Sequence, residues 1–145
     1  TIKMLMKNKA HPVNMALTRF AYPIPTEDFQ WGMLLDVTTG KRFINELNQR
    51  NIIGPAILSL KAQNGGQAPI IIYDSVGIEN FHDKQRLQLS LEGKNGINGT
   101  IYKFDSLDQL AAYFKVSAEV VKSAADRYNA MLKSGKDEEF GKNIA

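Results

Sequence analysis

The feature that most limits what this chain can fold into lies near its C-terminal end. Two amphipathic stretches follow one another there, each with its own start signal. Ser106 precedes LDQLAAYF, and Ser117 precedes AEVVKSAADRYNAMLKSG. A serine hydroxyl at that place accepts a bond from one of the unpaired amides of a first helical turn. Leu107, Leu110 and Phe114 fall on one face of the first stretch, and Val120, Val121, Ala124, Tyr128, Met131 and Leu132 form a stripe on the second. The pattern predicts a helix pair, and such a pair needs an apolar surface to lie on.

Strand-like runs earlier in the chain can supply that surface. WGMLLDV (31–37) predicts a strand, TTGK a turn and RFINE a return strand, together a β-hairpin. PIIIYDS (69–75) is nearly continuous in apolar character, as a strand covered on both faces is. TIYKF (100–104) and the alternation of Ile2, Met4 and Met6 predict two more strands. Gly54 and Pro55 open a helix through AILSLKAQ, with Pro55 in its first turn, and NGGQA ends it. HDKQRLQLSLEGK predicts a short helix and GKNGINGT a glycine-rich turn. Pro12, Pro23 and Pro25 break the preceding region into extended or loop chain, with one strand at Met15 to Tyr22. Strands come early, helices late, and no βαβ unit repeats. The expected class is α+β, a small mixed or antiparallel sheet with a β-hairpin and a C-terminal helix pair. The 145 residues fit one domain.

Several functions are disfavoured at this level. The 18 basic and 15 acidic residues are mixed along the chain, with no Lys/Arg block of the kind nucleic acid selects. No apolar run reaches the roughly eighteen residues of a membrane span. Without cysteine there is no disulfide, thiolate metal site or Cys nucleophile. His11 and His82 are too few for a zinc site, and no G-x-S-x-G elbow is present. Gly93, Gly96 and Gly99 follow a helix rather than a strand, which predicts a turn and not a dinucleotide fingerprint. A periplasmic and a cytoplasmic location both stay open. In GKRFINELNQR (40–50), Lys41 and Arg42 read as solvated charges beside a turn, and Glu46 with Arg50 as an i,i+4 pair at a helix start.

Taken together, AHP (10–12), TED (26–28), GMLLDVTTGKRFINELNQR (32–50) and FDSLDQLAAYFKVSAEVVKSAADRYNAMLKSGKDEEFGK (104–142) resemble the FAD-dependent fumarate reductase/succinate dehydrogenase flavoprotein family. The likeness is to its soluble, flavocytochrome-like branch. It implies that residues 1–145 are a single capping domain, which closes the substrate site over an FAD-binding domain lying elsewhere in a longer flavoenzyme. FAD is then expected in the full-length protein and none in this chain. The implied partners are the FAD-binding domain of the parent chain and a dicarboxylate or other enoate substrate. A dimer through the exposed domain interface is a further expectation.

The same resemblance assigns roles residue by residue. Family members reduce a carbon–carbon double bond conjugated to a carboxylate: the flavin delivers hydride to one carbon and a side chain protonates the other. Arg50 matches the proton donor and Glu27 the carboxylate that passes protons toward it. His11 matches the histidine that bonds a substrate carboxylate, and Thr26 the hydroxyl that assists it. A guanidinium ordinarily keeps its proton above about pH 12, but the acceptor here is a carbanion-like centre that is itself strongly basic. Lys41, Arg42 and Phe43 are expected to be structural, as a turn residue, a surface charge and a core aromatic. Tyr128 and Asn129 are expected to pack and bond inside the helix pair. Gln30 stands where the family commonly has a second arginine, and the segment from His11 to Thr26 is longer, with Pro23 and Pro25 added. Both departures favour a bulkier or aryl-substituted acrylate over fumarate. Two other readings are a stand-alone module in which His11, Thr26 and Arg50 hold a small carboxylate without redox chemistry, and a protein-interaction domain.

Overall fold

The computed structural model describes residues 2–9, 26–94 and 101–144. Its centre is a two-stranded antiparallel sheet, β1 (Met33–Leu35) against β2 (Ile70–Ile72), with Leu34 opposite Ile71. Helices cover both faces. Leu34 packs with Phe29, Ile44, Ile53, Phe81 and Leu87, under α2 (Arg50–Gln63) and α4 (Lys84–Leu91). Met33 and Leu35 point the other way, onto Leu110, Ala111, Val121 and Ala124 of α5 (Leu107–Phe114) and α6 (Ala118–Ser134). A strand buried on both faces has no polar side to alternate with, which is why MLL and III are unbroken apolar runs. Helices plus a small antiparallel sheet agree with the α+β expectation.

The expected hairpin is replaced by a different pairing. β1 takes β2 as its partner, and RFINE returns only through a single bridge between Leu35 and Arg42. The rest of that edge of β1 is satisfied by side chains: Glu46 Oε1 accepts from the Leu34 amide at 2.9 Å, and Lys142 Nζ donates to the Gly32 carbonyl at 2.8 Å. Side chains thus take bonds that a return strand would have made.

Other elements differ locally. Residues Ile2–Lys7 form a helix, α1, not a strand; Met, Leu and Lys are good helix formers, and six residues are too few for periodicity to decide. Helix α2 begins four residues before Gly54, so Pro55 sits in its second turn and deprives the Asn51 carbonyl of an amide partner. Complete burial of Ile53 offsets that loss. Residues 101–104 form no strand; Tyr102 and Phe104 instead stack on Tyr113 and Phe114 of α5, with centroids 4.8–6.3 Å apart. A short helix, α3 (Ser75–Glu79), was not anticipated; the Asp74 carboxylate caps it by accepting from the Gly77 amide. The serine caps are as expected, with Ser106 and Ser117 accepting from the amides of Gln109 and Val120. The stripe on α6 stops short of its end, since Leu132 is exposed. The expected strand at Met15–Tyr22 and most of the glycine-rich turn lie outside the described residues.

The turn after β1 holds α6 in place. Asp36 accepts from the Thr38 amide, the Thr39 hydroxyl and Asn64 Nδ2, tying the turn to the end of α2. Burial alone would raise its carboxyl, but these three donors outweigh it and keep Asp36 below the usual carboxylate range. Gly40 closes the turn at φ +63, and an added Cβ would lie 2.6 Å from Val120 Cγ1. Gly40→Ala therefore meets both a left-handed backbone and a clash, and is expected to cost about 2–3 kcal/mol. A urea midpoint unchanged from the parent would refute this.

Candidate active site

Two polar centres flank the start of α2. The first is buried. Arg42, expected to be a surface charge, is only 7% exposed. Its guanidinium makes two double-pronged contacts, to Asp137 at 3.0 and 2.8 Å and to Glu46 at 3.1 and 2.9 Å. The rings of Tyr128 and Phe140 lie 5.0 Å from its central carbon. Lys142 Nζ adds a second buried cation, 3.4 Å from Glu46 and donating to the Tyr128 hydroxyl at 2.6 Å. Two cations meet two fully enclosed carboxylates, with the partly exposed Glu139 3.4 Å from Arg42. This balance is what permits charge at such depth.

The expected pairing of Glu46 with Arg50 is thereby corrected. Glu46 faces backward along the chain to Arg42, because a buried carboxylate needs a buried cation and Arg50 lies on the surface. Electrostatics follow the geometry. Burial would raise the Asp137 carboxyl, yet Arg42 and the amides of Lys142, Phe140 and Glu139 hold it far below the usual carboxylate range. Burial opposes the charge on Arg42, and Asp137 and Glu46 restore it and more. Burial also lowers Lys142, against the pull of Glu46. Tyr128 is pushed up to about 12, first by burial and then by the charge of Glu46, so it stays a neutral hydroxyl. Tyr128 thus bonds within the core as expected, whereas Asn129 is exposed.

The second centre is at the surface. Arg50 is the first residue of α2, and its Nη2 donates to Thr26 Oγ1 at 3.2 Å. Thr26 opens a 3-10 turn, Thr26–Trp31, with exposed Glu27 next to it and half-buried Gln30 one turn on. Two of the residues singled out by sequence, 24 positions apart, are therefore in contact, and the third, Glu27, follows Thr26 in the same turn. His11 lies outside the described residues. The start of α2 is bare of the usual anionic support: Gln49 makes no side-chain cap bond and no acid occupies the first turn. A cation on the positive end of a helix is locally unfavourable and gains when an anion binds there.

The 3-10 turn is anchored from below by a residue that no motif singles out. Asp28 is fully buried, and its Oδ1 accepts from the His82 amide at 3.0 Å and lies 2.6 Å from His82 Nδ1. Asp137 and Lys142 were also missed. Their signal was faint, a charge-rich GKDEEFGK in which burial cannot be told from exposure. Among the described residues, no three His, Asp or Glu side chains gather to hold a metal ion. No strand–glycine turn–helix unit of the kind that cradles a dinucleotide is present among them either. No helix among them is long and apolar enough to cross a membrane.

No protein-family model matches the chain. It is 32% identical over 117 residues to the acrylate reductase flavoprotein subunit of Shewanella woodyi, a match covering 81% of this chain and 22% of that protein. It is 34% identical over 109 residues to the fumarate reductase (cytochrome) of Shewanella frigidimarina, covering 75% of this chain and 17% of that protein. The chain thus spans about a fifth of the length of these curated relatives. For the part of such a protein that this chain spans, the similarity supports the family its motifs pointed to, that of the fumarate and acrylate reductase flavoproteins.

Proposed function

We propose that residues 1–145 are the substrate-capping domain of an FAD-dependent ene-reductase, inactive as an isolated piece. Its partner is the FAD-binding domain of a longer chain, which holds the flavin. Arg50 donates the proton to an α,β-unsaturated carboxylate, Glu27 replenishes it, and Thr26 with His11 holds the carboxylate. The observation that carries this is the contact between Arg50 Nη2 and Thr26 Oγ1, beside Glu27, at an exposed helix start with no acid of its own.

The chemistry asked of these residues is modest and local. A carbon next to a carboxylate takes up negative charge as its double bond is reduced. A fixed guanidinium above that carbon stabilises the charge as it develops and is the nearest source of a proton. The contact with Thr26 restrains the guanidinium before substrate arrives, which saves ordering it later. Gln30 cannot act as a second cation, and one relative is named for acrylate, a smaller monocarboxylate. Both favour an enoate other than fumarate, and cinnamate-like acids test the bulkier end of that range.

In the full-length protein, Thr26→Val is expected to raise KM for the preferred enoate about tenfold, the worth of one hydrogen bond to a charged group. Steady-state kinetics with fumarate, acrylate and cinnamate measure it. Unchanged KM and kcat for all three would remove Thr26, and the contact that supports the assignment, from the site.

A further inference from the structure

We infer that Asn45 and Glu46 are positioning residues that fix where Arg50 presents its guanidinium, an inference that rests on the catalytic assignment of Arg50. Local sequence does little to fix the start of α2. The helix lacks a side-chain cap, begins with a cation against its own dipole, and carries Gly54 and Pro55 one turn in. Its first bonds run from the amides of Ile52 and Ile53 to the Gln49 carbonyl, so the helix begins wherever Gln49 is held.

What holds that approach is tertiary. Glu46 is 1% exposed and locked to Arg42 and to the Leu34 amide of β1. One residue earlier, Asn45 Nδ2 donates to the Phe140 carbonyl at 3.2 Å, and its Oδ1 accepts from the Leu47 amide at 2.8 Å. The Asn45 carbonyl then accepts from the Asn48 amide at 3.1 Å, shaping the turn that delivers Gln49. From Asn45 to Arg50 the backbone is therefore referenced to β1 and to residues 137–142, not to the helix it enters. Neither Asn45 nor Glu46 shows a bond to Arg50; they act through the backbone.

Asn45→Asp separates the two ties. It keeps the acceptor for Leu47 and replaces the donor to Phe140 with an oxygen. In the full-length protein it should lower kcat about 10–100-fold, the usual effect of a displacement near 1 Å, with KM within about threefold and the melting temperature close to the parent's. Asn45→Ala, which loses both ties, should lower kcat further. Asn45→Ser, with a smaller change at the site, carries the same test if melting shows the aspartate variant unfolded. Arg50→Ala is measured alongside. Unchanged kcat in the Asn45 variants, where Arg50→Ala abolishes turnover, overturns the positioning role and leaves Arg50 standing. A loss carried by KM alone also overturns it. Full turnover in Arg50→Ala removes the catalytic assignment and this inference together.

Discussion

Asp137→Ala is expected to destabilise the protein by about 3–5 kcal/mol, seen as a large drop in the urea midpoint. The effect exceeds the loss of a surface ion pair because nothing replaces the carboxylate. Arg42 keeps Glu46, but Lys142 also draws on Glu46, and two buried cations would then share one enclosed anion. Three backbone amides, of Glu139, Phe140 and Lys142, lose their acceptor at the same time. Asp137→Asn separates these losses, since it keeps an acceptor while removing the charge. Acid should act in the same direction. The carboxyl is depressed in the folded state, so its contribution is complete only well above the unfolded value of about 3.9 and fades as pH falls from about 5 downward. An unfolding free energy for Asp137→Ala within about 1 kcal/mol of the parent's would mean that the cluster is not held as a unit.

Arg50→Ala in the full-length protein should lower turnover by several orders of magnitude, on the order of 10³ or more. Loss of a general acid removes roughly 10²–10⁴, and loss of a fixed charge at the reacting centre a comparable factor, the two overlapping because one group supplies both. Arg50→Lys keeps a cation but loses the planar fork, and should retain a little activity. Stability should hardly move, because Arg50 is on the surface and opposes the dipole of its own helix. Activity and stability thus part company here, while at Asp137 stability alone changes first. Near-normal turnover in Arg50→Ala would end the assignment.

The two centres differ in how far sequence revealed them. Ser106 and Ser117 were legible because a cap is a local bond between a side chain and an amide three residues on. The helix pair and its buried face followed from spacing alone. The sheet was legible as strands but not as pairs: MLL and III are the right segments, yet proximity in sequence favoured RFINE as the partner. What decided otherwise was Glu46 reaching the Leu34 amide and Lys142 reaching the Gly32 carbonyl, bonds across 12 and 110 residues. Arg42 was misjudged for the same reason, because a charged residue beside a turn is ordinarily solvated and its partner Asp137 is 95 positions away. At the surface centre, motif resemblance chose Arg50, Thr26 and Glu27, and spatial contact between the first two is an independent observation. Asp28, buried beneath them, sits in the same TED and was passed over, since a tripeptide says nothing about which of its acids faces inward.

The separation between Arg42 and Asp137 also bears on the order in which the molecule is made. A ribosome delivers Arg42 and Glu46 some 95 residues before the carboxylate that completes them. Until then the pair must stay wet, for Lys142 has not emerged either, and the edge of β1 where the Gly32 carbonyl awaits it is open. Closing so long a loop is slow relative to forming α5 and α6, which are local. The sheet therefore spends its early life with an incomplete edge, and residues 137–142 are the ones that seal it.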